Sequence, residues 1–227
     1  MSEVAHNINF IQERIRAAAA AVGRNPQDVT LIAVSKTVEP ERIEAALATG
    51  QTLFGESKVQ EARAKIPIIS GRARWHMIGH LQTNKARDAV AMFEVIQSVD
   101  SVKLAVELDK WAERAGKTQA ILLEVNVSGE ASKFGLKPED LESTVAEING
   151  LARLEVQGLM TVAPYAEEME KARPYFRRLR ELRDALGLRE LSMGMTHDFP
   201  VAIEEGATMV RIGSAIFGER KRHELTE

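Results

Sequence analysis

Lys36 follows Val29-Thr30-Leu31-Ile32-Ala33-Val34-Ser35, a nearly unbroken apolar run, and an amine placed there is suited to attacking an aldehyde. Apolar surroundings disfavour the ammonium form and leave free amine as a nucleophile. The competing reading is a lysine that leaves a strand and extends its charge into solvent. Near the other end of the chain, Gly194 and the pair Gly213-Ser214 each follow a further apolar run. Glycines let backbone N–H groups approach phosphate oxygens, and Thr196 and Ser214 can add hydroxyl donors beside a helix starting near Ser214. Plain tight turns use the same glycines. Arg211 lies between Val210 and Ile212, so a two-residue period sends its guanidinium to the side opposite theirs. A buried arginine needs an acceptor, either a carboxylate such as Glu124 or Glu56 or an atom of a ligand. Against a pyridine nitrogen it could only donate, which would leave the ring unprotonated and a poor electron sink.

Other candidates carry less. His76 and His80 are four positions apart, but they straddle a strand end and Gly79, with no intervening glutamate, so no metal site is assigned. His197-Asp198 reads as loop surface followed by a cap for the helix through Val201-Ala202-Ile203. Arg177, Arg178, Arg180 and Arg183 alternate with Leu179, Leu182 and Leu186, the pattern of an amphipathic helix with a solvated basic face. The chain has no cysteine, which excludes disulfides, thiolate nucleophiles and Cys-ligated metals. Lys plus Arg total 30 against 33 Asp plus Glu, so no basic surplus points to nucleic acid. The N-terminus lacks the apolar stretch of a signal peptide and no run is long enough for a bilayer, which implies no membrane partner and a cytoplasmic location.

Positioning these groups requires a particular order of elements. Ile8, Ile11, Ile15, Ala18 and Val22 share one face of a first helix ending near Gly23. Strands are then expected at 29–34, 52–54, 75–78, 95–99, 120–127, 154–160, 191–194 and 209–213. Between them run amphipathic patterns such as Leu104, Leu108 and Trp111, or Phe176, Leu179 and Leu186. Eight βα units predict an α/β chain folded as a (β/α)8 TIM-type barrel with an extra N-terminal helix, a doubly wound open sheet being the alternative. No linker or composition break appears, so 1–227 is read as a single domain, with a short charged tail after Gly218. In such a barrel the loops after the strands converge on one pocket, and the ends of strands seven and eight are the usual phosphate position.

Several stretches also carry a resemblance. Ala33-Val34-Ser35-Lys36, Phe54-Gly55-Glu56, His76-Met77-Ile78-Gly79-His80-Leu81-Gln82-Thr83-Asn84-Lys85, Asn126-Val127-Ser128-Gly129-Glu130 with Ser132-Lys133, Gly158-Leu159-Met160-Thr161, Ser192-Met193-Gly194-Met195 and Val210-Arg211-Ile212-Gly213-Ser214-Ala215-Ile216-Phe217-Gly218 together resemble the pyridoxal phosphate homeostasis protein family. The resemblance implies a barrel like the N-terminal domain of alanine racemases, with pyridoxal 5′-phosphate (PLP) held as an internal aldimine on Lys36. It implies that Gly213, Ser214 and Thr196 hold the phosphate and that Arg211 faces the pyridine nitrogen. The chain departs from the family at Ser57-Lys58, where Asn-Tyr is usual, at His197, often an aspartate, and at Thr196, more often a serine.

By the same resemblance the protein is expected to be a carrier of PLP that passes the cofactor to apo PLP-dependent enzymes, without a catalytic residue of its own. An amino-acid racemase would need a second acid/base group opposite Lys36. In related racemases that group is a tyrosine from an additional domain, which this chain is expected to lack. Its two tyrosines are Tyr165, near the expected pocket mouth, and Tyr175 on the arginine-rich helix. A Schiff-base aldolase on the same fold would carry no cofactor and no colour. Without a second domain to dimerise through, a monomer is expected.

Overall fold

The computed structural model describes residues 2–69 and 71–218, and the expected charged tail lies outside them. Eight parallel strands form a closed barrel in sequence order: β1 (Thr30–Val34), β2 (Leu53–Glu56), β3 (Arg74–Met77), β4 (Val95–Val99), β5 (Gln119–Glu124), β6 (Leu154–Met160), β7 (Glu190–Ser192) and β8 (Met209–Ile212). β8 pairs with β1, with Arg211 opposite Ile32, which excludes the open sheet. The strands are shorter than the apolar runs suggest where the chain must turn into the site. β5 stops at Glu124 rather than Val127, because Val125 leaves the ladder to bridge Leu136. β7 stops at Ser192 because Gly194 takes φ +91°, a conformation open to glycine and costly for other residues.

Helix α1 (Glu3–Ala21) precedes the barrel. Ile8, Ile11, Ile15 and Ala18 are buried as the spacing predicts, each of the isoleucines contributing roughly 2 kcal/mol by burial. Val22 is instead 45% exposed, since it is the C-cap residue and has already left the helical face. The helix covers the seam where the barrel closes. Asn7 donates to the Ile216 carbonyl (3.0 Å) and Arg24 donates to the carbonyls of Ile203 (2.6 Å) and Ala207 (2.9 Å).

Outside the strands lie α2 (Pro40–Leu47), α3 (Val59–Lys65), α4 (Ala86–Met92), α5 (Val102–Arg114), α6 (Leu141–Ile148), α7 (Arg173–Ala185), α8 (Phe199–Glu204) and the single turn α9 (Ser214–Phe217). None of the helices among the described residues is long and apolar enough to cross a membrane. On α7 the basic face is not simply solvated. Arg173, Arg177 and Arg180 all pair with Glu205, whose side chain is buried, at 3.2, 2.9 and 3.0 Å. Burial alone would raise the Glu205 carboxyl, but Arg177, Arg173 and Arg180 hold it below its ordinary value. Those arginines therefore fasten α7 to the end of α8.

Two apolar cores result. One fills the shell between sheet and helices and includes Val210 and Ile212. The other plugs the barrel with Ile32, Leu53, Val95, Leu122, Met160 and Met209. One inward position further along the strands, the residues become His76, Gln97, Glu124, Ser192 and Arg211, a polar floor under the mouth.

Candidate functional site

Ile32 faces the barrel interior, so the two-residue period carries Val34 and then Lys36 to the same side at the end of β1. Lys36 is half-buried there, and both of its chain neighbours are clamped. The Ser35 hydroxyl donates to Glu56 (2.6 Å). The Lys65 ammonium, buried at the end of α3, donates to the Ser35 carbonyl (2.7 Å), Glu56 (2.9 Å) and Glu61 (2.7 Å). Glu61 in turn accepts the Thr37 N–H (2.5 Å) and so secures a residue at φ 60°. Burial raises the Glu56 carboxyl, while Ser35 and Lys65 act in the opposite direction. Lys65 and Glu61 were not singled out from the sequence, although Lys65 stands three residues past buried Ala62 and six past buried Val59, a signal that it lies on the covered face.

On the adjacent strands the glycines and hydroxyls meet. A Cβ on Gly213 would lie 3.4 Å from Val34, so this glycine lets the turn after β8 sit against the end of β1. A Cβ on Gly194 would lie 2.5 Å from Ala202, and the Gly194 carbonyl accepts the Arg211 N–H (3.0 Å). The Ser214 and Thr196 hydroxyls are 3.4 Å apart, so residues from two loops converge beside Lys36's strand. Asp198 stands at the N-cap of α8, but its carboxylate accepts the Met195 N–H (2.6 Å) instead of capping that helix; it shapes the β7 loop. His197 is on the surface, with its Nε2 2.8 Å from the Glu167 carbonyl. Tyr165 is 85% exposed, its ring 6.1 Å from that of His197.

Arg211 faces inward and is 4% exposed, but neither expected carboxylate is its direct partner. It donates to the Ser192 hydroxyl and the Thr161 carbonyl, both at 2.7 Å. Burial pulls its pKa down to about 10, and the charges of Glu124 and Asp198 oppose this. The two histidines take separate roles. His76 is buried with Nδ1 2.8 Å from the Gln97 amide nitrogen, whereas His80 pairs with Asp100 (3.1 Å) and stacks on Phe134. Among the described residues no cluster of three or more His, Cys, Asp or Glu could hold a metal.

Three polar atoms around the site lack a partner. His76 Nε2, one Glu124 oxygen and one Glu56 oxygen are buried without a hydrogen-bond partner. Burial lowers His76 to about 4; burial, aided by Asp100, raises Glu124 to about 7. These shifts oppose each other in stability. Between about pH 4 and 6.5 the unfolded chain holds the His76 proton and the folded one does not, so stability rises with pH. Between about pH 4.5 and 7 the folded chain holds the Glu124 proton, so stability falls with pH. In urea unfolding, compared with the parent, Glu124→Gln is expected to remove a decline between pH 4.5 and 7 and His76→Gln to remove a climb between pH 4 and 6.5, each of at most about 3 kcal/mol. Parallel profiles for both variants would contradict these placements.

Residues 1–221 match the family model described as alanine racemase, N-terminal domain. Over 221 residues, 94% of this chain and 97% of the relative, the sequence is 45% identical to the pyridoxal phosphate homeostasis protein of Aquifex aeolicus. This chain belongs to the pyridoxal phosphate homeostasis protein family. The Escherichia coli K12 member is 37% identical over 229 residues, 97% of this chain and 98% of its own. Among solved structures of similar sequence is PipY from Synechococcus elongatus PCC7942 with PLP bound. It has TM-score 0.79 and 37% identity, covering 92% of this chain and all of that one. An alanine racemase from Clostridium difficile 630 shares the fold at 16% identity and TM-score 0.72, matching 98% of this chain but 58% of the racemase.

Proposed function

We propose that this protein binds PLP on Lys36 and serves as a carrier that keeps the reactive aldehyde bound until an apo-enzyme takes it. The observation that carries this reading is the convergence, at one end of the barrel, of a lysine between two clamped neighbours after β1 with the Gly213-Ser214 and Gly194–Thr196 turns. Family membership and PLP bound in PipY support it. Lys36 would supply the amine that takes up the aldehyde as a Schiff base, releasing water. Gly213, Ser214, Thr196 and Gly194 would hold the phosphate, and Arg211 would donate to the ring nitrogen. When bound, PLP supplies an electrophilic aldehyde and a conjugated ring. An arginine that can only donate leaves that ring a weak electron sink, which favours storage over catalysis. Ser57 offers a shorter hydrogen-bonding group than asparagine on the ring side, and Gly79 lets the Ser57 backbone pass close by, since a Cβ there would fall 2.4 Å from the Ser57 carbonyl oxygen.

A second reading, a slow amino-acid racemase, rests on Glu124 in the polar floor, whose carboxyl burial raises to about 7 and one of whose buried oxygens has no hydrogen-bond partner. Mixing PLP-loaded protein with an apo PLP-dependent enzyme separates the two. A carrier restores that enzyme's activity while losing its own visible absorption and turns over no amino acid beyond free PLP. Sustained racemisation abolished by Glu124→Gln would overturn the carrier reading in favour of the enzyme.

A further inference from the structure

Behind Arg211 runs a chain of buried side chains that crosses the barrel. Arg211 on β8 donates to the Ser192 hydroxyl on β7 (2.7 Å), Ser192 bonds the Gln97 carbonyl oxygen on β4 (2.6 Å), and the Gln97 amide nitrogen is 2.8 Å from His76 Nδ1 on β3. Each member is less than 5% exposed. Direction along the chain follows from chemistry. Arginine has no acceptor, so Ser192 must accept from it and is free to pass its own proton to Gln97. The Gln97 oxygen then faces Ser192 and its NH2 faces two acceptors, His76 Nδ1 and the Met209 sulfur at 3.5 Å. His76 therefore accepts at Nδ1 and carries its proton on Nε2, the buried nitrogen that has no partner.

We propose that His76, Gln97 and Ser192 form a one-way hydrogen-bond crossbeam that positions Arg211 for the ring of the bound cofactor and presents the Nε2–H of His76 as a second, unassigned donor in the same pocket. This rests on the PLP reading above. The competing state is an Arg211 that collapses onto Glu124, the carboxylate whose charge acts on it and whose free oxygen would take the bond. Ser192 at the end of β7 and the Thr161 carbonyl just past β6, fixing two guanidinium nitrogens, prevent that rotation. The charged groups acting on His76, Glu94 and Arg74, are paired with each other at 2.6 Å and oppose one another in their effect on the imidazole. Gln97 suits its place because an amide can accept from a hydroxyl at one end and donate to an imidazole at the other.

The test has two arms on the full chain. In the ligand-free protein, 15N-histidine spectra, with His76→Gln to assign the resonance, are expected to show a neutral His76 ring protonated at Nε2 down to about pH 5.5. A proton on Nδ1 would overturn the proposed direction. In the second arm, PLP titrations compare wild type with Ser192→Ala and Gln97→Glu. Ser192→Ala is expected to weaken PLP binding about tenfold, the usual scale for groups that orient a binding residue. Gln97→Glu keeps an acceptor for Ser192 but gives His76 an anion to protonate against. It is expected to make His76 cationic at neutral pH and to move the pH dependence of the visible band by about one pH unit. A purely structural role would change melting temperature without moving that profile. If both variants bind PLP as wild type does, with the same band, the crossbeam's role is overturned and the Lys36 reading stands. A wild type that takes up no PLP would overturn both.

Discussion

Lys36→Ala is expected to abolish the visible absorption of PLP-loaded protein completely while leaving the barrel's melting temperature within a few degrees of the parent. The two halves of this result have separate causes. Lys36 is the lysine that follows β1, and the Lys65 ammonium that clamps its neighbour is already committed to the Ser35 carbonyl, Glu56 and Glu61 and cannot replace it. The fold does not depend on Lys36, because the clamp holds its neighbours Ser35 and Thr37 through their own backbone and hydroxyl groups. Removing a half-buried lysine side chain typically changes stability by no more than about 1 kcal/mol. Absorption spectra after PLP addition, with calorimetry of the same samples, check both halves. A variant that still develops the band would place the reactive amine elsewhere.

Arg211→Ala is expected to be far more costly, about 4 kcal/mol in denaturant unfolding, together with loss of tight PLP binding. The residue is buried and its two donated bonds go to groups that have no water to turn to. Leaving the Thr161 carbonyl and the Ser192 hydroxyl short of a donor costs about 1 to 3 kcal/mol each, and the vacated volume adds a cavity contribution. Glu124 loses the cation that lowers its pKa, so its carboxyl should titrate higher still. Arg211→Lys should recover part of the stability but not the planar geometry of two bonds from one guanidinium. An Arg211→Ala variant that melts with the parent would mean the guanidinium is not held in the barrel interior.

Much of this architecture was legible because strands buried on both faces leave apolar runs, and each of the eight expected runs from 29–34 to 209–213 overlaps a strand, though β5 and β7 end early. The two-residue period also sends Arg211 inward, as found. What the pattern could not supply was the identity of partners. Glu124 and Glu56 were reasonable acceptors for a buried arginine, but a hydroxyl on β7 and a carbonyl after β6 do that work, and neither Ser192 nor Thr161 differs by type from any surface residue. The Lys65 clamp joins segments about thirty residues apart through α3, and Arg177 and Arg180 of the basic face read as surface until α8 brings Glu205 against them. Asp198 shows the limit of local rules, since it occupies a capping position and spends its carboxylate on Met195 instead. Strand ends were the other blind spot: Val125 and Val127 continue the alternating pattern of β5 after its ladder has stopped.

The central claim is that PLP is held covalently on one lysine at the end of the first strand. Borohydride reduction of the PLP-treated protein followed by peptide mapping tests it most directly. One pyridoxyl group on Lys36, absent from Lys36→Ala, is the predicted result. Label on Lys58 or spread over surface lysines, or a protein that takes up none, would contradict it.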